Sequence, residues 1–181
     1  MDWIDYRERL GMGFDDEDKT KLFYNRMSNL FDVLISDTDA FVTVVEYHDF
    51  CMDTGTRLNL NILEHYQDYE RFKACVHIIQ KHETVFTDYL AYFVWFINSL
   101  SDDKERTWNR QAFKKMLLYH LKEAHIQFEL LEDDNKVFVF PKGAVELDNA
   151  LVSEPLEWLK DYPLAHKTFV IALKQYSDGI Y

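Results

Sequence analysis

Apolar residues recur every three or four positions along most of residues 1–125, which is the spacing of amphipathic helices. Asp15 and Asp16 precede one such run and suit the cap and first turn of a helix. The apolar residues between about Thr84 and Leu100 are typical of a buried central helix. The predicted helices cover, in approximate bounds, residues 2–10, 16–34, 40–51, 62–79, 84–100 and 104–125.

The pattern changes from helical spacing to strict alternation after residue 125. Residues 126–130 alternate between apolar and polar side chains, and residues 136–140 form a second β-prone run. Pro141 ends the second run, because proline cannot donate to a strand ladder. The predicted fold is mainly α, a bundle of about six to eight helices with one small β-hairpin near residues 126–140.

The 181 residues fit one domain with two parts. Residues 1–125 are predicted to form a helical body. Residues 126–181 are predicted to contain the hairpin and C-terminal helices that pack on this body. The C-terminal helices are expected at residues 144–151, at 155–160 and from 163 onward.

Composition indicates a well-filled core and an acidic surface. Aromatic residues make up 16% of the chain, and the net charge is −12. An acidic surface repels phosphate backbones, so the charge does not favour nucleic-acid binding, although a local basic patch is compatible with it. Cys51 and Cys75 lack the spacing of a zinc site and are expected to be reduced thiols near the core.

The start of the chain has neither a basic segment nor an apolar run, which argues against a signal peptide. The most apolar segment, Val85 to Leu100, is shorter than the roughly 20 residues that a bilayer needs. We therefore expect a cytoplasmic protein with no membrane contact.

Basic residues concentrate on the helix predicted over residues 104–125. Arg106, Arg110 and Lys114 are four positions apart and would share one face, with Lys115 beside them. Such a stripe is suited to binding phosphate or an acidic partner. The alternative is a solvated face that balances acidic neighbours in residues 102–105.

Arg71 and His77 are separated by five residues on a predicted helix. This spacing resembles the ribonuclease motif of HEPN (higher eukaryotes and prokaryotes nucleotide-binding) domains, in which His acts as acid or base and Arg holds a phosphate. Phe72 departs from that motif, which usually has a polar residue after the Arg. On one helix the two side chains would also point about 120° apart. A chance match within a helical protein is the alternative.

Common enzyme signatures are absent from the sequence. The chain has five glycines and no phosphate-cradling loop, no Gly-x-Ser-x-Gly elbow and no His-Glu-x-x-His pair. Two groups of acidic and histidine residues lack the Glu-x-x-His repeat of a helical metal site. These groups are Glu46, His48 and Asp49, and Glu64, His65 and Asp68. We expect no cofactor, no metal and no enzyme activity.

Several strings near the C-terminus resemble a bacterial protein family. They are Val139-Phe140-Pro141-Lys142-Gly143-Ala144, Leu156-Glu157-Trp158-Leu159, Tyr162-Pro163 and Ala172-Leu173-Lys174-Gln175-Tyr176. The opening Arg9-Leu10-Gly11-Met12-Gly13-Phe14 is also similar. These strings resemble the N-terminal region of abortive-infection-like proteins of phage defence. The resemblance implies that any ribonuclease activity belongs to a HEPN-like C-terminal part beyond residue 181.

Three hypotheses follow for the function. The first is a non-catalytic module that senses, regulates or mediates assembly in a phage-defence protein, with a protein or a C-terminal effector domain as its partner. The second is a HEPN-like ribonuclease that uses Arg71 and His77. The third is a small phage or mobile-element protein that binds a host protein. The exposed edge of the predicted hairpin and the many aromatic residues are also compatible with a homodimer.

Overall fold

The computed structural model describes residues 3–37, 39–133, 136–142 and 168. Over these residues the chain is mainly helical, with seven helices and one two-stranded antiparallel sheet, which confirms the predicted fold class. The elements are α1 (Trp3–Arg9), α2 (Asp16–Ile35), α3 (Val44–Thr54), α4 (Leu60–His65), α5 (Asp68–Gln80), α6 (Phe86–Ser99), α7 (Arg110–Glu123), β1 (Phe128–Asp133) and β2 (Lys136–Pro141).

The chain divides into two compact units, Met1–Val139 and Phe140–Tyr181. The seven described helices and β1 belong to the first unit. The helices predicted at 144–151, at 155–160 and from 163 lie outside the described residues. The domain division predicted at residue 125 stays a prediction.

Helix α6 lies at the centre of the first unit, as its apolar sequence predicts. It packs against α3, α5 and α7. Its Phe96 ring meets Phe50 of α3 edge-on at 5.8 Å and Phe113 of α7 at 5.3 Å, measured between ring centroids. Each fully buried Phe stabilises the fold by about 1.5–3 kcal/mol relative to an exposed one. Within the described part of the chain, no helix combines the length and apolar character that crossing a membrane requires.

Helix α2 begins as its sequence predicts. The Asp15 carboxylate accepts a hydrogen bond from the backbone N–H of Asp18 at 2.8 Å and caps the helix. Phe23, Met27 and Phe31 follow at four-residue spacing and are fully buried, so one face of α2 covers the core.

The start predicted for the third helix, near Ala40, is wrong. Helix α3 begins at Val44, because Thr43 and Glu46 form a capping box there. The Thr43 N–H donates to the Glu46 carboxylate at 2.8 Å, and the Glu46 N–H donates to the Thr43 hydroxyl at 3.3 Å. Val45, in the first turn of α3, is exposed. The helix ends at Gly55, whose φ of 66° favours glycine.

The single amphipathic stretch predicted over residues 62–79 is two helices, α4 and α5. Tyr66 and Gln67, which lie between α4 and α5, have extended backbone conformations. This conformation breaks the helical hydrogen-bond ladder. The helix predicted from residue 104 is also misplaced, since α7 begins only at Arg110. Asn109 caps α7 by accepting from the Ala112 N–H at 3.0 Å.

The predicted hairpin is confirmed as strands β1 and β2. Asn98 of α6 holds it to the helices through two hydrogen bonds with the backbone of Val137. The Asn98 amide donates to the Val137 carbonyl at 2.8 Å, and its oxygen accepts from the Val137 N–H at 2.7 Å. The Phe128 ring of β1 meets Phe86 of α6 edge-on at 5.6 Å. The hairpin is therefore packed on the helical core rather than free-standing.

Candidate functional site

Arg106 was predicted on the basic stripe of a helix, but it lies in the loop before α7 and is 7% exposed. Its guanidinium donates to Oε1 of Glu46 at 2.6 Å and also to the carbonyl oxygen of Phe41. It stacks over the Phe41 ring at 4.1 Å from the centroid. Glu46 also accepts from the backbone N–H of Ser101 at 2.8 Å. Arg106 thus joins the loop to α3 and presents no charge to solvent.

The Glu46 carboxylate is buried and kept ionised. Burial acts to raise its pKa, but hydrogen bonds from the backbone N–H groups of Thr43 and Ser101 and the charge of Arg106 outweigh it. The pKa of Glu46 is therefore lowered from its ordinary value of 4.5. A buried carboxylate with this many donors is a structural anchor.

The other members of the predicted stripe remain on α7. The Arg110 guanidinium pairs with Asp102 at 3.1 Å, and the Lys114 ammonium pairs with Glu132 of β1. The hydrogen bond from Lys114 is the main cause that lowers the pKa of Glu132. Lys115 is exposed. Because Arg106 is absent from this face and two of its charges are paired with acids, the four residues do not form one basic stripe. Their binding role stays a prediction.

Arg71 and His77 both lie on α5, but the structure does not bring them together. Arg71 is buried, and its guanidinium donates to the Asp68 carboxylate and to the carbonyl oxygen of Leu63 at 3.0 Å. His77 is exposed. Six positions along one helix also separate the two side chains by about 120°. Arg71 holds α4 against the start of α5, which is a structural use of its charge.

The acidic and histidine groups noted in the sequence do not converge on a point. Glu46 is committed to Arg106, whereas His48 pairs with its neighbour Asp49 at 3.1 Å on the surface. Among the described residues, no three His, Cys, Asp or Glu side chains are placed to hold a metal ion.

The N-terminal helix carries an apolar surface that sequence reasoning missed. Trp3 and Tyr6 of α1 and Leu10 of the turn that follows it are 51%, 45% and 55% exposed, and Trp3 and Tyr6 lie on one face of the helix because they are three positions apart. The rings of Trp3 and Tyr6 stack with centroids 6.1 Å apart. Ile4, which follows Trp3 in the same helix, is fully buried and anchors the helix. We call Trp3, Tyr6 and Leu10 the α1 stripe.

A groove of about 680 Å³ lies beside the first turns of α2 and α6. Three carboxylates, one ammonium, two threonine hydroxyls and two aromatic rings line it. We call this surface the α2 groove, and its residues are Asp16, Glu17, Thr20, Lys21, Tyr24, Glu83, Thr84 and Phe86. Asp16, Thr20 and Phe86 also border a second depression of about 450 Å³ that extends to residues 125–128. The surface is therefore acidic and aromatic, the opposite of the predicted basic stripe.

No family model, curated protein or solved structure matches this chain. The resemblance to abortive-infection-like proteins stays a prediction.

Partial signals for the two missed surfaces are present in the sequence. Trp3 and Tyr6 follow helical spacing in a segment that carries few other large apolar residues, which indicates a helix without a full core face. The α2 groove combines residues 16–24 with residues 83–86, and only the packing of α2 beside the start of α6 brings these segments together.

Proposed function

We propose that the chain is a non-catalytic interaction module of an abortive-infection-like phage-defence protein. It senses, regulates or mediates assembly in the cytoplasm by binding another protein. The partner is a separate protein, a C-terminal effector domain or a second copy of the chain.

The α1 stripe is the observation that carries this proposal. Trp3 of α1 and Leu10 of the turn after it leave about half of their surface in water, although α1 buries Ile4 completely. Exposed large apolar side chains that lie side by side mark interaction surfaces more often than isolated ones do. Trp and Tyr are also the residues that contribute most binding energy at protein interfaces. The α1 stripe therefore has the composition of an interface centre.

The positions of Arg71 and Arg106, two of the residues predicted to act on a ligand, support a non-catalytic role. Arg71 would have to leave Asp68 and Leu63 before it could hold a phosphate, which would leave the Asp68 carboxylate unpaired. Arg106 is held in the same way by Glu46 and Phe41. Both charges are used inside the fold.

A cleavage assay with labelled RNA separates this proposal from the ribonuclease alternative. The purified wild type and His77→Ala are compared, because His77 is exposed and its loss should change the free energy of unfolding by no more than about 0.5 kcal/mol. We expect no cleavage by either protein. Cleavage by the wild type that disappears in His77→Ala would contradict the non-catalytic role.

Phage challenge tests the defence role. Bacteria that express the complete natural open reading frame and bacteria with an empty vector are exposed to a panel of phages, and plaques are counted. Fewer plaques with at least one phage are expected. Equal plaque counts across the panel contradict a defence role and favour the alternative of a phage or mobile-element protein that binds a host protein.

A further inference from the structure

Exposed apolar side chains continue past the end of α1. The helix closes as a Schellman motif, in which the N–H of Met12 donates to the carbonyl oxygen of Arg7 at 3.0 Å and the N–H of Gly11 donates to that of Glu8 at 2.9 Å. Gly11 has a φ of 74°, a conformation that favours glycine. Met12 is 47% exposed. The chain therefore adds a fourth exposed apolar side chain within two residues of the α1 stripe.

The charges of α1 change sign along the helix. Asp5 lies in its first turn, whereas Arg7 and Arg9 lie in its last turn. In an antiparallel pair of such helices, the first turn of each lies beside the last turn of the other, so opposite charges meet, whereas a parallel pair would bring like charges together. Residues 3–13 also carry two acids and two arginines, although the whole chain has a net charge of −12. A second copy of the chain is therefore repelled less at α1 than over the acidic surface as a whole.

We propose that the α1 stripe binds the α1 stripe of a second copy of the chain, with the two helices antiparallel about a two-fold axis near Tyr6. The same patch then serves both copies, as a two-fold dimer requires. Trp3 of one copy would lie beside the last turn of the other, where Arg9 is exposed, and an arginine over a Trp face adds a cation–π attraction. This inference rests on the proposed interaction function and selects a second copy among its three possible partners.

The size of α1 sets the strength expected of this contact. The helix has seven residues, so a contact limited to it and the turn after it is smaller than the roughly 1,200 Å² at which stable interfaces begin. We therefore expect a reversible dimer with a Kd on the order of micromolar, which forms as the concentration rises.

Sedimentation equilibrium of the purified full chain measures this association. Trp3→Ala should weaken the dimer Kd by at least about tenfold, because a truncated Trp at the centre of an interface is lost from both copies. The matched control is Val33→Ala on α2, where Val33 is 66% exposed, and its Kd should equal that of the wild type. Because both residues are exposed, both variants should fold.

Disulfide cross-linking tests the antiparallel arrangement without relying on a weakened variant. Tyr6→Cys places a thiol at the two-fold axis, so a mild oxidant should join two copies. Leu10→Cys should not cross-link, because the two thiol positions would be about 12 Å apart along the helices and a disulfide needs Cα atoms within about 7 Å. Val33→Cys controls for random collision, and the native Cys51 and Cys75 are buried.

Three results would overturn the inference. They are a monomer at the highest soluble concentration, equal Kd values for Trp3→Ala and Val33→Ala, and cross-linking of Leu10→Cys or Val33→Cys that is as efficient as that of Tyr6→Cys. A monomeric chain whose α1 variants still lose protection against phage would have a different protein as its partner. The proposed function would then stand while this inference failed, so the two failures are distinguishable.

Discussion

The guanidinium of Arg106 lies 2.6 Å from the carboxylate of Glu46, and both side chains are almost completely removed from solvent. The same carboxylate closes the capping box of α3 on Thr43 and accepts from the backbone N–H of Ser101. One buried acid therefore fixes the start of α3 and the loop before α7 together.

Removal of Arg106 should strongly destabilise the fold. Arg106→Ala leaves Glu46 as an unpaired buried charge, which typically costs about 3–5 kcal/mol. The measurement is the free energy of unfolding from urea titration at pH 7. The control is Lys73→Ala, which breaks a partly exposed pair with Glu70 and should cost at most about 1 kcal/mol. Equal losses in the two variants would contradict a structural role for the Arg106 pair.

The stabilising effect of Glu46 should depend on pH. Its pKa in the folded state is lower than its ordinary value of 4.5, so the ionised form contributes stability at higher pH. That stability is lost as the pH falls below the ordinary value and through the lowered one. Urea unfolding of the wild type and Glu46→Gln should differ most at pH 7, and the difference should shrink below about pH 4.5. A difference that does not change with pH would contradict the ionised state assigned to Glu46.

The stability that Glu83 contributes should change with pH in the direction opposite to that of Glu46. Burial raises its folded pKa, so the neutral form is favoured in the folded state, and that advantage is lost as the pH rises through the raised pKa. Glu83→Gln should therefore raise the free energy of unfolding at pH 7 and give no gain below the ordinary value of 4.5. Glu64→Gln, at an exposed position, should leave stability unchanged.

A lower stability of Glu83→Gln than of the wild type at pH 7 would show that Glu83 has a stabilising partner in the fold, and would contradict this prediction.

Asn98 should control how firmly the hairpin is held. Asn98→Ala removes both hydrogen bonds to the backbone of Val137, a buried residue. The N–H and C=O groups of Val137 then lose these partners. The expected cost is about 1–3 kcal/mol. Hydrogen exchange at the Val137 amide should become faster, while the amides of α2 exchange more slowly than that of Val137. Unchanged exchange at Val137 would mean that the strand pairing alone protects it.

Much of the fold could be predicted because its signals are local. The apolar residues of α2 repeat at helical spacing after the Asp15 cap, and the alternation after residue 125 marks the hairpin. The start of α3 could have been found from Thr43 and Glu46, which have capping-box spacing. The apolar residues just before them hid this signal.

The position of Arg106 could not be predicted from its neighbours. Asp102 and Glu105 have the spacing of a capping box, and Arg106, Arg110 and Lys114 have that of a helix face. The residue that decides the conformation is Glu46, 60 positions earlier in the chain. Such a contact exists only after α3 and the loop have packed together.

The candidate surfaces required the structure for the same reason. Tyr24 and Glu83 belong to segments that are distant in sequence, and neither carries a recognisable motif. Only the folded chain shows that both residues line the α2 groove.

The most direct test of the interaction function is phage challenge with variants of the α1 stripe. Trp3→Ala combined with Leu10→Ala removes its two most exposed apolar side chains, and Val33→Ala with Leu60→Ala removes two still more exposed ones elsewhere. All variants should fold, since surface changes alter stability by about 0.5 kcal/mol each. We expect the α1 variant to restore the plaque count to that of the empty vector, while the control variant still protects. Full protection by the α1 variant would contradict the interaction function.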